Sequence, residues 1–257
     1  MKTSPIIHGQ IRVSRSQESF PSQAAERIKS ELLACLKVKT NPSIALSGGV
    51  TPKEIYARLS ELFLPDKQSF SAFRWFQTDE RNVPPDHKDS NQKMIRETLF
   101  QKAALSDDFF FPVPVFLKNP SIIVQEYENT IRANLSRSVD GKTPEFDLVL
   151  LGIGEDGHVA SLFPEIDLES QEQKQRVFNH FWVDSLKAIR YSLTFPVLIA
   201  AKKVAVFATG SRKSKILEKT LLLDENVPAN KLCRTRCVEW WLDPLAAELF
   251  RENLLSL

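Results

Sequence analysis

Residues 146–164 read F-D-L-V-L-L-G-I-G-E-D-G-H-V-A-S-L-F-P, and this stretch decides the fold of the chain. Its first part, Phe146 to Leu151, is an apolar run typical of a strand buried on both faces. Glycines then alternate with the polar residues Glu155, Asp156 and His158. Because ligands of parallel sheets bind beyond the carboxyl ends of the strands, this loop is predicted to be an active site.

The bulk composition predicts an ordinary globular protein. The chain has 257 residues, of which 42% are hydrophobic and 26% charged, and we predict a single domain spanning residues 1–257. A net charge of +2 gives no reason to expect binding to nucleic acid or to membranes. The sequence shows no signal-peptide core and no run long enough to span a bilayer, so a cytoplasmic location is predicted.

The cysteines do not indicate a metal site or a disulfide framework. Cys35, Cys233 and Cys237 are too few and too unevenly spaced for disulfide pairing. Cys233 and Cys237 lie four residues apart, but no second Cys or His pair completes a zinc site. We therefore expect reduced thiols and no bound metal.

Strands and helices alternate along most of the chain. Strands are predicted at Ser43–Leu46, Phe73–Gln77, Val113–Phe116, Phe146–Leu151, Arg190–Phe195 and Lys203–Ala208. Helical stripes are predicted over residues 20–38, after Pro52, after Ser90 or Asn91, over residues 123–135, after Lys213 and after Pro244. This alternation predicts an α/β fold with a doubly wound, mainly parallel sheet and helices on both faces. The loops at Ser47, Asp79, Asp156 and Thr209 all follow strands and should converge on one edge.

The first of these loops, S-G-G-V-T-P, joins a strand to a helix through Ser47, Gly48 and Gly49. Thr51 is placed as the N-cap of that helix and Pro52 as its first residue. A helix N-terminus directs backbone N–H groups and a dipole at an anion, so the turn is a candidate phosphate site. The ending of a Walker loop is absent, and an ordinary tight turn is the alternative.

Two further loops concentrate charge. Asp79, Glu80 and Arg81 stand together at a strand end, where an arginine can grip an anion and an acid can orient a sugar hydroxyl. A solvated charge cluster is the alternative for these residues. Lys213 lies at a predicted helix start, where a cation opposes the helix dipole, and its position therefore indicates a bound anion.

Gly152 to Gly157 has the spacing G-x-G-x-x-G after a strand, which is also the spacing of a dinucleotide-binding loop. Glu155 and Asp156, however, place negative charge where a pyrophosphate would lie, and Pro164 limits the helix that should follow. An acid/base role fits better, because an adjacent carboxylate can orient a histidine such as His158 and fix its tautomer.

Three blocks of the sequence resemble the signature blocks of the 6-phosphogluconolactonases in composition, spacing and order. They read S-G-G-V-T-P, D-E-R-N-V-P-P-D-H-K-D-S-N and L-G-I-G-E-D-G-H-V-A-S-L-F-P. The third is long and specific, whereas the first is shared with glucosamine-6-phosphate deaminases. The resemblance implies the fold of the glucosamine-6-phosphate deaminase and ribose-5-phosphate isomerase type. It also implies hydrolysis of 6-phosphoglucono-δ-lactone to 6-phosphogluconate, in the oxidative pentose phosphate pathway, without metal or cofactor, by a monomer or a small homo-oligomer.

The resemblance also implies roles for individual residues. His158 would be the general base that activates water for attack on the lactone C1, with Asp156 beside it. Arg81 would bind substrate or stabilise the developing oxyanion, organised by Asp79. The 6-phosphate would be held by the turn at Ser47, Gly48, Gly49 and Thr51, with positive charge from Arg190 and Lys213. Arg212 could share the role of Lys213, because T-G-S-R-K-S stands where T-G-x-x-K-A is commoner.

Two other functions stay open from the sequence. A glucosamine-6-phosphate deaminase or isomerase needs a base for C1–C2 proton transfer, and D-E-R in place of the deaminase D-E-Y argues against it. A non-catalytic sugar-phosphate sensor would not need Asp156, Gly157 and His158 intact. No helix-turn-helix segment or basic arm of a transcription regulator is apparent either.

Overall fold

The computed structural model describes residues 9–139, 141–222 and 226–249. The strands in these ranges are β1 (Gly9–Val13), β2 (Ser43–Leu46), β3 (Arg74–Gln77), β4 (Asp79–Arg81), β5 (Phe110–Phe111), β6 (Leu148–Gly152), β7 (Phe178–Val183), β8 (Ala188–Leu193), β9 (Lys203–Ala208) and β10 (Val238–Leu242). The α-helices there are α1 (Phe20–Leu36), α2 (Val50–Phe63), α3 (Lys67–Ser71), α4 (Asn91–Ile95), α5 (Pro120–Asn134), α6 (Gln171–Gln175), α7 (Phe195–Ala200), α8 (Ser214–Leu221) and α9 (Pro228–Thr235). None of these helices is both long and apolar enough to cross a membrane.

Seven of the strands form a parallel sheet in the order β1-β10-β9-β6-β2-β3-β5. Strand β6 lies at its centre, between β2 and β9, with Leu148 opposite Ile44 on one side and Lys203 on the other. All pairings are parallel, so the carboxyl ends of the strands share one edge. The loop after β6 is therefore flanked by the turns after β2 and β9.

Alternate side chains of β6 enter two separate hydrophobic clusters. Leu148 and Leu150 pack in one cluster with residues of α1 and α2, and Val149 and Leu151 pack in the other with residues of α5 and α8. All are at most 2% exposed, and burying a side chain of this size contributes about 1.5–3 kcal/mol to folding. Both faces of the sheet are thus covered by helices, and the doubly wound, mainly parallel prediction is confirmed.

A second, antiparallel sheet has the order β4-β8-β7 and stands outside the parallel sheet. Asp79–Arg81, predicted as a loop, is strand β4 and pairs with residues of β8. The predicted strand at Arg190–Phe195 is β8, two residues earlier, and it belongs to this small sheet. The end of β8 is held beside β4, because the backbone N–H of Leu193 donates to the carbonyl of Thr78 at 2.7 Å. The small sheet places Arg81 and Arg190 beside the carboxyl edge.

Several local predictions were wrong. The strand predicted at Val113–Phe116 is instead a 3₁₀ turn at Val115–Leu117, because the flanking prolines cannot donate to a ladder. Helix α2 begins at Val50 with Gly49 at the N-cap, so Thr51 is not the cap. Lys213, by contrast, ends a 3₁₀ turn and is the N-cap residue of α8, so it lies at the helix start as predicted. Of the helix predicted after Pro244, residues 250–257 lie outside the described residues.

Candidate active site

A cavity of about 1000 Å³ opens at the carboxyl edge of the parallel sheet. Its walls include every residue that the sequence predicted for the site, namely Ser47, Gly48, Gly49, Thr51, Asp79, Arg81, Asp156, His158, Arg190 and Lys213. A smaller hollow of about 360 Å³ beside α9 contains none of these side chains. The large cavity is therefore the candidate active site, and its volume suits a small organic ligand.

The strand order explains the convergence. The loops come from β9, β6, β2 and β3, which are consecutive neighbours in the sheet. The turns after β2 and β9 meet directly, because the hydroxyls of Thr51 and Thr209 lie 2.7 Å apart. These two turns therefore meet at the end of β6, which lies between β2 and β9.

His158 and Asp156 form a hydrogen-bonded pair inside the cavity. Nδ1 of His158 lies 2.6 Å from Oδ1 of Asp156. Burial opposes ionisation of Asp156, but the hydrogen bond and charge of His158 outweigh it and hold the pKa of the carboxyl below 3.8. An ionised carboxylate can only accept, so Nδ1 carries the proton and Nε2 presents its lone pair. Within the described residues Nε2 has no hydrogen-bond partner.

Two glycines of the loop are required by close contacts. A Cβ on Gly154 would lie 2.1 Å from Nδ1 of His158, in the space that the pair occupies. Gly157 has a φ of +85°, and a Cβ there would lie 2.7 Å from the Val227 side chain. The carbonyl of Gly157 also accepts from the N–H of Ala229 at 3.0 Å, which ties the loop to α9. The glycines thus leave room for the His158–Asp156 pair and for Val227. This agrees with the sequence argument that the loop is not a nucleotide site.

The Asp79 carboxylate joins three loops. Oδ1 accepts from the Thr78 hydroxyl at 2.7 Å, and Oδ2 accepts from the Ser161 hydroxyl at 2.9 Å and from Nδ2 of Asn91 at 3.3 Å. The Asn91 side chain lies so close to Gly48 that a Cβ there would come within 1.7 Å of its Oδ1. Because Asp79 is 6% exposed and already accepts these bonds, it organises the site and is not a free base.

The burial of Glu80 excludes the alternative that Asp79, Glu80 and Arg81 form a solvated charge cluster. Its side chain is fully buried, and its oxygens accept backbone N–H groups of Arg81, Asn91 and Gln92, each at 2.8 Å. Nε2 of Gln77 adds a bond at 2.9 Å. Burial raises the pKa of Glu80, and these donors partly offset that effect. The carboxyl therefore fixes β4 against the start of α4.

Arg81 and Arg190 lie opposite each other on β4 and β8, so their side chains share one face of the small sheet. Nη1 of Arg81 donates to the carbonyl of Asp89 at 2.6 Å, and Nη1 of Arg190 donates to the carbonyl of Ile189 at 3.2 Å. Burial, followed by the nearby charge of Arg81, lowers the pKa of Arg190. In the described part of the chain neither guanidinium is paired with a carboxylate. Both can therefore bind an anion.

Lys213 and Ser47 also belong to the cavity wall. Burial lowers the pKa of the half-buried Lys213, although Glu155 and Asp156 oppose the shift. Nε of Arg212 instead lies 3.7 Å from Oε1 of Glu155, with the arginine side chain 87% exposed. The buried Ser47 hydroxyl has no hydrogen-bond partner within the described residues, and such groups normally have one. This wall is suited to an anion.

Residues 15–240 match the family model described as glucosamine-6-phosphate isomerases/6-phosphogluconolactonase. This range includes all the residues that line the cavity except Leu245. The chain belongs to this family. A 6-phosphogluconolactonase of Synechocystis sp. is 30% identical over 246 residues, covering 94% of this chain and 98% of the relative. A human 6-phosphogluconolactonase is 31% identical over 257 residues, covering 94% of this chain and 93% of the relative.

Solved structures of the glucosamine-6-phosphate isomerase/6-phosphogluconolactonase family share the fold. A 6-phosphogluconolactonase from Trypanosoma cruzi has a TM-score of 0.83 at 31% identity, covering 95% of this chain and 98% of that chain. A monomeric glucosamine-6-phosphate deaminase has a TM-score of 0.73 at 20% identity, covering 93% of this chain and 99% of that chain. At that identity the likeness concerns the fold alone, and the fold expected from the resemblance is confirmed.

Sequence reasoning missed three contributors to this family member's site and named Thr209 only as the start of a converging loop. Asn91 and Ser161 donate to Asp79, and Phe163 contacts His158. The Thr209 hydroxyl lies beside that of Thr51. Asn91, Ser161 and Phe163 lie inside two of the blocks that carry the resemblance. Their positions were a usable signal, but their partners lie in other loops and are visible only in the folded chain.

Proposed function

We propose that this chain hydrolyses 6-phosphoglucono-δ-lactone to 6-phosphogluconate. The observation that supports this most directly is the His158–Asp156 pair, whose free Nε2 lines the same cavity as the guanidinium of Arg81. The names of the relatives, which are 6-phosphogluconolactonases at about 30% identity, agree with this activity. A place in the oxidative pentose phosphate pathway and a cytoplasmic location belong to the same proposal.

The first half of the proposed reaction is the attack of water. Nε2 of His158 accepts a proton from the water as its oxygen forms a bond to the lactone C1. The carbonyl electron pair moves to the exocyclic oxygen, and the guanidinium of Arg81 stabilises that oxyanion. Asp156 holds the imidazole by its Nδ1 proton and stabilises the imidazolium that forms.

The second half is the opening of the ring. The oxyanion returns its electron pair to C1, and the bond between C1 and the ring oxygen breaks. The imidazolium of His158 gives its proton to the leaving oxygen, which becomes a hydroxyl group. The product is a carboxylic acid that ionises in water, and the base is restored without any further reactant.

The 6-phosphate is proposed to lie on the wall formed by Ser47 and the start of α2. The unpartnered hydroxyl of Ser47 and the backbone N–H groups of Gly48, Gly49 and Thr51 would donate to it. Lys213 and Arg190 would supply positive charge. This arrangement leaves the lactone end of the substrate at His158.

The decisive assay offers the purified protein freshly generated 6-phosphogluconolactone beside glucosamine 6-phosphate. We expect lactone hydrolysis far above the spontaneous rate, measured by a coupled dehydrogenase that consumes 6-phosphogluconate. We expect no ammonia from glucosamine 6-phosphate. A deaminase needs a free base for C1–C2 proton transfer, whereas the Asp79 carboxylate already accepts bonds from Thr78, Ser161 and Asn91. Ammonia release without lactone turnover would show that the protein is a deaminase, and binding without turnover of either would show that it is a sensor.

The affinity for the product should fall at high pH. Burial lowers the pKa of Lys213 from its ordinary 10.5, and a bound phosphate favours the charged form. The lysine therefore loses its charge, and the protein loses affinity, as the pH rises through this lowered value. Calorimetric titration with 6-phosphogluconate between about pH 7 and pH 10 measures the effect. Lys213→Arg should keep its affinity over this range, and an equal loss in both proteins would remove Lys213 from the phosphate site.

A further inference from the structure

Phe163 is buried without being part of either hydrophobic cluster. It is 6% exposed, and neither cluster contains it. Its ring lies instead against the imidazole of His158, with the ring centroids 4.3 Å apart and the planes inclined by 32°. A phenylalanine that only filled the core would belong to one of these clusters, so its position calls for a different explanation.

The backbone between these residues is shaped to produce the contact. Val159 pairs with Ile153 on one side and with Leu162 on the other, and the N–H of Leu162 donates to the carbonyl of Val159 at 3.0 Å. The tight turn requires Ala160 to adopt a φ of +50°, a conformation uncommon for residues other than glycine. Such strain is retained when the surroundings require it, and here the turn returns Phe163 to the face of His158.

Three groups therefore confine one imidazole. Asp156 binds Nδ1 at 2.6 Å, and the backbone of Gly154 approaches so closely that a Cβ there would lie 2.3 Å from Cε1. Phe163 lies along the ring face. Among the described residues nothing contacts Nε2 through a hydrogen bond, so the confinement leaves this reacting edge open to the cavity.

We propose that Phe163 is a positioning residue of the hydrolysis, and that its ring holds the His158 imidazole in the one orientation that keeps both the Asp156 bond and an accessible Nε2. This inference rests on the proposed function. Without the ring, rotation about the His158 side-chain bonds would break the Nδ1 bond and misplace Nε2. The imidazolium formed during water attack would also lose contact with a negative π face.

Kinetics of Phe163→Leu and Phe163→Tyr provide the first test. Phe163→Leu keeps an apolar group but loses the flat ring, and we expect kcat to fall about 10- to 100-fold, because misplaced catalytic groups lose rate on that scale. KM should stay within about twofold, since the phosphate contacts are elsewhere. Phe163→Tyr, which restores the ring, should return kcat to near the wild-type value. A wild-type kcat in Phe163→Leu, or a change in KM alone, would overturn the proposal.

A matched control and a spectroscopic test separate this inference from the proposed function. Phe111→Leu removes a ring that stacks on Phe76 at 4.8 Å, outside the cavity, and should leave kcat unchanged. The chain has four histidines, so the Nδ1 proton signal of His158 can be assigned with His158→Gln. That proton should give a downfield NMR signal in the wild-type protein and lose it to exchange in Phe163→Leu. If the wild type hydrolyses no lactone, the proposed function fails. If the Nδ1 proton signal is unaltered in Phe163→Leu, the positioning role is overturned as well.

Discussion

Replacing His158 by alanine should lower kcat for lactone hydrolysis by roughly two to four orders of magnitude, the range typical of losing a general base. The variant retains Arg81 and the groups proposed to bind the phosphate, so KM should change little and binding of 6-phosphogluconate should persist. The reason is geometric, because Nε2 of His158 has no hydrogen-bond partner in the described part of the chain, while Asp156 binds Nδ1. Stopped assays with freshly generated lactone, corrected for spontaneous hydrolysis, measure the loss.

His180 offers a matched control for this substitution. Its imidazole lies in β7, half-buried, with Nδ1 unpartnered within the described residues, and it does not line the cavity. His180→Ala should therefore leave kcat close to that of the wild type, apart from effects on stability. Wild-type turnover by His158→Ala would show that the base is another group.

Gly154→Ala should have the second largest effect, with kcat falling about 100-fold while the protein stays folded. The new methyl group would lie 2.1 Å from Nδ1 of His158 and 2.3 Å from Oδ1 of Asp156. Gly154 has no positive φ that alanine would strain. The side chains of the pair must therefore move, and the hydrogen bond between them is lost. Steady-state kinetics and circular dichroism together measure the effect.

Gly152→Ala is the control for this prediction. Gly152 lines the same cavity, but a Cβ there meets no atom within 4 Å. The two variants add the same methyl group at positions two residues apart, one at the end of β6 and one in the loop that follows. If both lose activity equally, the cause is a general sensitivity of the loop to substitution and not displacement of the His158–Asp156 pair.

Much of the parallel sheet could be predicted from the sequence. The predicted bounds of β2 and β9 agree with the structure, Ser43–Leu46 and Lys203–Ala208. Each is a continuous apolar segment because both its faces are buried under helices. β10 was not predicted as a strand, although its residues Trp240 and Trp241 are at most 4% exposed. Its pairing with β9 and β1 gives it that structure.

The small sheet could not be predicted, although its strand β8 was, because β4 and β7 carry no clear strand signal of their own. β7 contains the polar residues Asn179 and His180 and the exposed Trp182, so it lacks a clear alternation. Asp79–Arg81 forms a strand because β8 returns to pair with it. Three consecutive charged residues carry too little local preference to specify a strand.

The parallel architecture and the pairing of Asp156 with His158 in the loop after β6 follow from the sequence alone, because both depend on near neighbours in the chain. An apolar run specifies a buried strand, and Asp156 lies two residues from the histidine that it orients. Tertiary structure decided which groups from distant loops support that pair. The bond from Ser161 to Asp79 spans 82 residues and the contact from Thr51 to Thr209 spans 158. Such contacts have no local signal, since they form only when the sheet has set four loops on one edge.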